Sequence, residues 1–188
     1  MVMPKLRDLA IKYASDKLYW HSYIPLYEQL FAQIRVERVL EIGIGYKDLM
    51  QPFLPAGVQY VHGSSLRIWS EYWPQAHIFA CDIRQDALIN EDRIWSLQCD
   101  QSKPEEVQKL IAWSGGWWDV VIDDGSHVDE HQLLTTKILL PEVNGGGVYV
   151  IEDVWPDAGK ILAEQLGGEL WIGKRGRDDN LVIIRKDQ

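Results

Sequence analysis

Val120-Val121-Ile122-Asp123-Asp124-Gly125-Ser126-His127 is an apolar run ending in adjacent carboxylates, and Val148-Tyr149-Val150-Ile151-Glu152-Asp153 repeats the pattern further along. A short, continuous apolar run bounded by turn residues is the pattern of a strand buried on both faces. Two such strands in one parallel sheet deliver Asp123, Asp124, Glu152 and Asp153 to a common rim, with His127 just beyond it. Carboxylates crowded in this way repel one another and need a cation between them. The residues therefore point to a divalent metal with a histidine base beside it.

Upstream, Arg38-Val39-Leu40-Glu41-Ile42 reads as a strand that runs into Gly43-Ile44-Gly45. Glycines at this spacing after a strand let the backbone approach a ligand closely. His77 to Asp82 and Ile94 to Asp100 are further strands with acidic ends. Tyr46 to His62 contains Pro52, Pro55 and Gly57 and has no helical period, which predicts a loop. Gly63-Ser64-Ser65 offers an N-cap to a helix from Leu66 to Trp73, stopped by Pro74. Pro104 to Trp113 is a helix whose Glu105 and Glu106 match the positive end of its dipole, and Glu130 to Leu140 is the next. Beyond Asp153, Val154 to Gly168 is a short connector. Glu169 to Gly173 and Leu181 to Arg185 then form a hairpin around the polar turn Lys174 to Asn180. Leu6 to Tyr13 and Ile24 to Ile34 have helical spacing and flank a polar-aromatic connector, Lys17 to Tyr23. Residues 1–36 are thus a helical cap on a single domain, 1–188.

Alternating strands and helices predict an α/β fold with an open parallel sheet, closed by the antiparallel hairpin. In such sheets ligands bind beyond the carboxyl ends of the strands, where every acidic residue named so far is placed.

Composition narrows the function. With 188 residues and 46% hydrophobic content the chain can bury a proper core. A net charge of −9 without a basic block argues against a nucleic-acid partner. No apolar run approaches the ~20 residues of a membrane span, and the amino terminus lacks a signal-peptide core, so a soluble cytoplasmic protein with no membrane partner is expected. Cys81 and Cys99 show no metal-ligand spacing and read as buried free thiols. Of the 9 tryptophans, Trp69, Trp117, Trp118 and Trp155 are candidates for pocket walls. Trp20, Trp73, Trp95, Trp113 and Trp171 suit core or interface.

Plainer readings stand beside these. Glu41 and Gly43 can simply close a tight turn. Asp123 fits a cap or turn better than a ligand, and Asp124 can also cap a helix. His127 and His131 can be loop histidines. His21 suits either a pocket lid or a solvated or capping position. Arg175, Arg177, Asp178 and Asp179 read as a solvated hairpin tip.

Several stretches together resemble the class I S-adenosylmethionine-dependent methyltransferases, and among them the metal-dependent macrolide sugar O-methyltransferases of the mycinamicin and tylosin type. They are Lys12-Tyr13-Ala14-Ser15-Asp16-Lys17 with His21 and Tyr23, Leu40 to Gly45, Gly63 to Trp69, Ile122 to His127, and Ile151-Glu152-Asp153. The resemblance implies a Rossmann-like, mostly parallel seven-stranded sheet with a C-terminal antiparallel hairpin. It implies S-adenosylmethionine bound by Glu41, Gly43, Gly45, Gly63, Ser64 and Ser65 at the methionine end and by Asp82 at the ribose. Asp100 and Gln101 would lie near the adenine, and Asp124 at the border with the metal. Magnesium, with manganese the alternative, would be held by Asp124, Glu152 and Asp153, and His127 would be the general base. The implied acceptor is a sugar hydroxyl of a glycoside, nucleotide sugar or polysaccharide, and the resemblance leaves room for a homo-oligomer. A catechol-like acceptor and a non-catalytic S-adenosylmethionine-binding module are the alternatives. A nicotinamide-binding domain is disfavoured because Asp48 stands where a third glycine is needed.

Overall fold

The computed structural model describes residues 5–187; residues 1–4 of the expected cap, and Gln188, lie outside them. Its strands are β1 Arg38–Ile42, β2 His77–Asp82, β3 Ile94–Gln98, β4 Trp118–Asp123, β5 Val143–Ile151, β6 Glu169–Ile172 and β7 Asn180–Arg185. They form one seven-stranded sheet in the order β3-β2-β1-β4-β5-β7-β6. Pairing is parallel from β3 through to β5, and β7 runs antiparallel to both β5 and β6. This is the Rossmann-like arrangement expected. β7 lies between β5 and β6, so the hairpin adds both of its strands to the sheet. The strand order reverses between β1 and β4, the switch point at which α/β sheets open a ligand crevice.

Burial explains why the central strands read as continuous apolar runs. Successive side chains enter opposite faces, and helices cover both. Val39, Val120 and Ile122 pack on one side with α1 (Leu6–Lys12), α3 (Ile24–Phe31) and α5 (Ser64–Tyr72). Leu40 and Val121 pack on the other with α6 (Pro104–Ser114), α7 (Asp129–Leu139) and α8 (Pro156–Leu166). An aromatic cluster fastens the cap to α5: Tyr27 stacks on Phe31 at 4.9 Å, and Phe31 meets Trp69 edge-on at 5.8 Å.

Four expectations need correction. The connector holds a short helix, α2 (Asp16–Tyr19), whose N-cap Ser15 accepts a hydrogen bond from the Lys17 N–H. The expected loop after β1 holds α4 (Lys47–Met50) and a 3₁₀ turn, Gln51–Phe53, in which Pro52 sits where its missing N–H costs nothing. The run after Asp153 is the helix α8, bounded by Pro156 at its start and left-handed Gly167 at its end, a proline-first, glycine-last signature. β5 also begins earlier than expected, because the Gly145-Gly146-Gly147 run is accommodated where the β4–β5 register shifts.

Candidate active site

Backbone hydrogen bonds tie the strand ends in series. The Gly43 N–H donates to the Cys81 carbonyl, the Asp124 N–H to that of Ile42, and the Glu152 N–H to that of Asp123, at 2.8, 2.8 and 2.9 Å. Gly43 has φ +89°, and a Cβ there would lie 1.9 Å from the Asp124 carbonyl oxygen, so only glycine lets β1 and β4 end this close together. In front of this junction opens a cavity of about 380 Å³, of ligand size.

On one side the cavity is lined by Gly43, Gly45, Ser64, Ser65 and Asp82. Asp82 Oδ2 accepts from the N–H groups of Ile44 and Gly45, at 2.9 and 3.3 Å, and Oδ1 accepts from the Arg84 N–H at 2.8 Å. The carboxylate thus holds the glycine turn open. Ser64 Oγ is buried at the cavity wall with no protein partner, so a polar group of a ligand is needed to satisfy it. That orphan hydroxyl and the close glycine backbone fit the amino-acid end of the expected cofactor. Glu41 and Gly63 stand behind the wall. Glu41 is fully buried, takes the Trp69 indole N–H at 2.8 Å, and is pushed up to about 7 by burial. Gly63 is the left-handed N-cap of α5.

A neighbouring pocket of about 110 Å³ contains Asp100 and Gln101. Gln101 is committed to the protein: its amide donates to Asp123 Oδ1 at 3.0 Å, and its oxygen accepts from the Ser126 N–H at 2.6 Å. Asp123 is a buried structural carboxylate, pushed up to about 6 by burial.

On the other side of the cavity, ligand atoms of Asp124, His127 and Asp153 lie within 4.8 Å of one another. His127 Nε2 is 3.8 Å from Asp124 Oδ1, and Nδ1 is 3.7 Å from Asp153 Oδ2. His127 and Asp153 both have positive φ, +53° and +57°, the kind of backbone strain that collects at functional sites. Burial, then the neighbouring Asp124, pushes Asp153 up to about 7. Its Oδ1 accepts from the Tyr23 hydroxyl at 2.7 Å. This donor set fits a hard divalent cation.

Glu152 differs from the expectation that made it a ligand alongside these. It is 1% exposed, with Oε2 2.6 Å from the Lys17 ammonium and Oε1 accepting from the Tyr27 hydroxyl. Lys17 also bonds Asp124 Oδ2 at 2.6 Å and lies 3.5 Å from Glu41 Oε1. Burial works against its charge, but the carboxylates of Asp124, Glu152 and Glu41 outweigh it and hold Lys17 well above the ordinary lysine range. Lys17, Tyr23 and Tyr27 are site residues that the sequence reading left without a role. Tyr27 carries no signal beyond its place in a helical cap, whereas Lys17 and Tyr23 stand in stretches that carry the family resemblance, which gives them no stated role.

His21 is buried, stacked on Tyr23 at 4.6 Å, with Nε2 3.4 Å from Asp153 Oδ1. Asp179, expected in a solvated turn, is 2% exposed and takes the Ser22 hydroxyl and the Arg175 N–H. Among the wall candidates, Trp69 and Trp118 are core, Trp117 is exposed, and Trp155 lines the cavity. Trp20, expected in core or interface, lines it too, edge-on to Phe53 at 5.1 Å.

No family model matches the chain. It is 42% identical over 176 residues to the 8-demethyl-8-(2-methoxy-alpha-L-rhamnosyl)-tetracenomycin-C 3'-O-methyltransferase of Streptomyces olivaceus, covering 89% of this chain and 42% of that protein. It is 36% identical over 159 residues to the mycinamicin VI 2''-O-methyltransferase of Micromonospora griseorubida, covering 81% of this chain and 36% of that one. Among solved structures, the MycE methyltransferase from the mycinamycin biosynthetic pathway, in complex with Mg and SAH, matches with a TM-score of 0.77 at 28% identity. That match covers 100% of this chain and 56% of MycE. A MycE complex that also holds mycinamycin VI matches at 0.75, with 28% identity over 98% of this chain and 55% of that one. The chain spans less than half the length of the first two relatives.

Proposed function

Because this chain belongs to the class I S-adenosylmethionine-dependent methyltransferases and is related to sugar O-methyltransferases of tetracenomycin and mycinamicin biosynthesis, we propose that it methylates a sugar hydroxyl on a glycoside-type acceptor, using S-adenosylmethionine and a divalent cation. The observation that carries this reading is the meeting of Asp124, His127 and Asp153 at the mouth of a cavity whose other wall is Gly43, Gly45, Ser64 and Asp82.

In this reading Ser64, Ser65 and the glycine backbone receive the methionine end of the cofactor, and Asp82 accepts from the ribose hydroxyls. Asp124 and Asp153 hold the cation, magnesium or manganese, with Glu152 behind them. A hard dication bound there lowers the pKa of a nearby hydroxyl and steadies its developing negative charge. His127 takes the acceptor's proton on whichever ring nitrogen faces it. The oxygen then forms its bond to the methyl carbon as the carbon–sulfur bond breaks, and the neutral thioether leaves. Asp124 and Asp153, 3.8 and 3.7 Å from the two ring nitrogens of His127, orient the imidazole for this step. Trp20 and Trp155 stand at the cavity wall, where indole faces suit the C–H faces of a sugar.

A second reading has His127 as a third metal donor, favoured by the 4.8 Å grouping. Manganese titration of His127→Asn separates the two: unchanged affinity with lost turnover makes it a base, and weakened affinity makes it a ligand.

The deciding assay follows S-adenosylhomocysteine release with rhamnosides, nucleotide sugars and glycan extracts, with and without chelator. Activity abolished by chelation, restored by magnesium and absent in Asp124→Ala supports the reading. Product from catechols alone would change the acceptor class. No product with any acceptor, despite bound S-adenosylmethionine, would overturn turnover altogether.

A further inference from the structure

The Lys17 ammonium bonds carboxylates at the ends of β4 and β5 and approaches one at the end of β1, while the side chain is 1% exposed. Asp124 is divided by it: Oδ2 accepts from Lys17, while Oδ1 turns toward His127. Glu152 is divided as well, between Lys17 and the Tyr27 hydroxyl. The methyl transfer proposed above uses none of these contacts. Their chemistry is that of a cation site: a compact positive charge gathers oxygen donors from separate strands and sets their direction.

We propose that Lys17 is a resident counter-cation that assembles the metal-facing carboxylates in advance and competes with the divalent ion for Asp124 and Glu152. The rim then keeps its shape without metal, and it binds metal more weakly than the same carboxylates would alone. This inference rests on the metal reading given above.

The physical argument has two parts. Burying ionised carboxylates without a partner is costly, so the fold needs a positive charge at this point. An ammonium already within hydrogen-bond distance also uses up Asp124 Oδ2 and turns Glu152 inward, and its charge repels a dication arriving on the far side of Asp124. Lys17→Met removes the charge and keeps most of the volume. Asp124 and Glu152 regain free oxygens, and the rim becomes one unit more negative. A lysine with a purely structural role predicts lost stability alone; a competing counter-cation predicts lost stability without metal together with tighter metal binding.

The test uses the full chain and Mn²⁺ alone, reading free Mn²⁺ by electron paramagnetic resonance and folding by circular dichroism. Lys17→Met should melt lower than wild type in chelator and bind Mn²⁺ about 10-fold more tightly or better. If the variant is unfolded in chelator, added Mn²⁺ should restore the fold. A folded Lys17→Met with unchanged or weaker Mn²⁺ affinity overturns the inference, as does an unfolded one that saturating Mn²⁺ leaves unfolded. Wild type that binds Mn²⁺ alongside either failure leaves the metal reading standing, whereas absence of binding in both proteins removes the reading and the inference together.

Discussion

His127 turns Nδ1 toward Asp153 Oδ2, 3.7 Å away, and both residues hold left-handed backbone. The two loops that follow β4 and β5 are therefore bent toward each other at the positions where the proposed proton transfer takes place. Asparagine tolerates this φ better than alanine, so His127→Asn removes the imidazole with least disturbance. It should lower kcat by about 10²–10⁴ with its melting temperature little changed, measured by product release and calorimetry.

Asp82 has backbone N–H partners on both carboxylate oxygens, so it shapes the glycine turn, and in the proposed function it also accepts from a ribose. Asp82→Asn exchanges one acceptor oxygen for a donor that faces those N–H groups. Calorimetric affinity for S-adenosylmethionine should fall by about 10-fold or more, at roughly 1.4 kcal/mol per decade. Unchanged affinity would remove Asp82 from the cofactor site.

Gly43→Ala places a methyl 1.9 Å from a backbone oxygen that cannot move aside without separating β1 from β4. The backbone strain alone should cost about 1–3 kcal/mol in urea unfolding, with the clash added to it. Gly57 has nearly the same φ, +86°, with nothing within 4 Å of an added Cβ, and so gives the control. Gly57→Ala should show only that strain, about 1–3 kcal/mol.

Buried Asp123, pushed up to about 6, makes stability depend on pH with a definite sign. Between the ordinary carboxylate value of about 4 and that raised value, the folded protein holds a proton that the unfolded chain has released. Its contribution is therefore present below about pH 4 and lost as pH rises through about 6. Urea midpoints in chelator should show this slope in wild type, and Asp123→Asn should flatten its lower part. Glu41 and Asp153, each raised to about 7, continue the same trend to higher pH and leave the upper part in place.

The sheet was readable because its central strands are covered on both faces, which writes burial into sequence as apolar runs with abrupt acidic ends. α2 and α4 were not, since helices of 4 residues are too short to show a period, and their stability comes from tertiary contacts. α8 differs: its proline and glycine boundaries and its amphipathic spacing are all present in the sequence, so it was legible as a helix and not only as a connector. Within the site, carboxylates and a histidine announce themselves by type. Lys17, Tyr23 and Tyr27 do not, because nothing local to α2 or α3 shows that they reach residues on the far side of the chain. Asp179 was misread for the same reason, since a charged residue in a turn is ordinarily solvated, and only the fold reveals Ser22 folded over it.

The bond from Lys17 to Glu152 joins positions 135 residues apart, and that from Tyr27 joins positions 125 apart. Closures of that length come late in folding, after the local helices and the nearer strand pairs have formed. An intermediate with its sheet begun and its cap undocked would therefore hold Asp124 and Glu152 without their resident ammonium, open to an incoming ion. In stopped-flow refolding, Mn²⁺ present from the start should slow the final docking phase, because the ion then occupies carboxylates that Lys17 must reach.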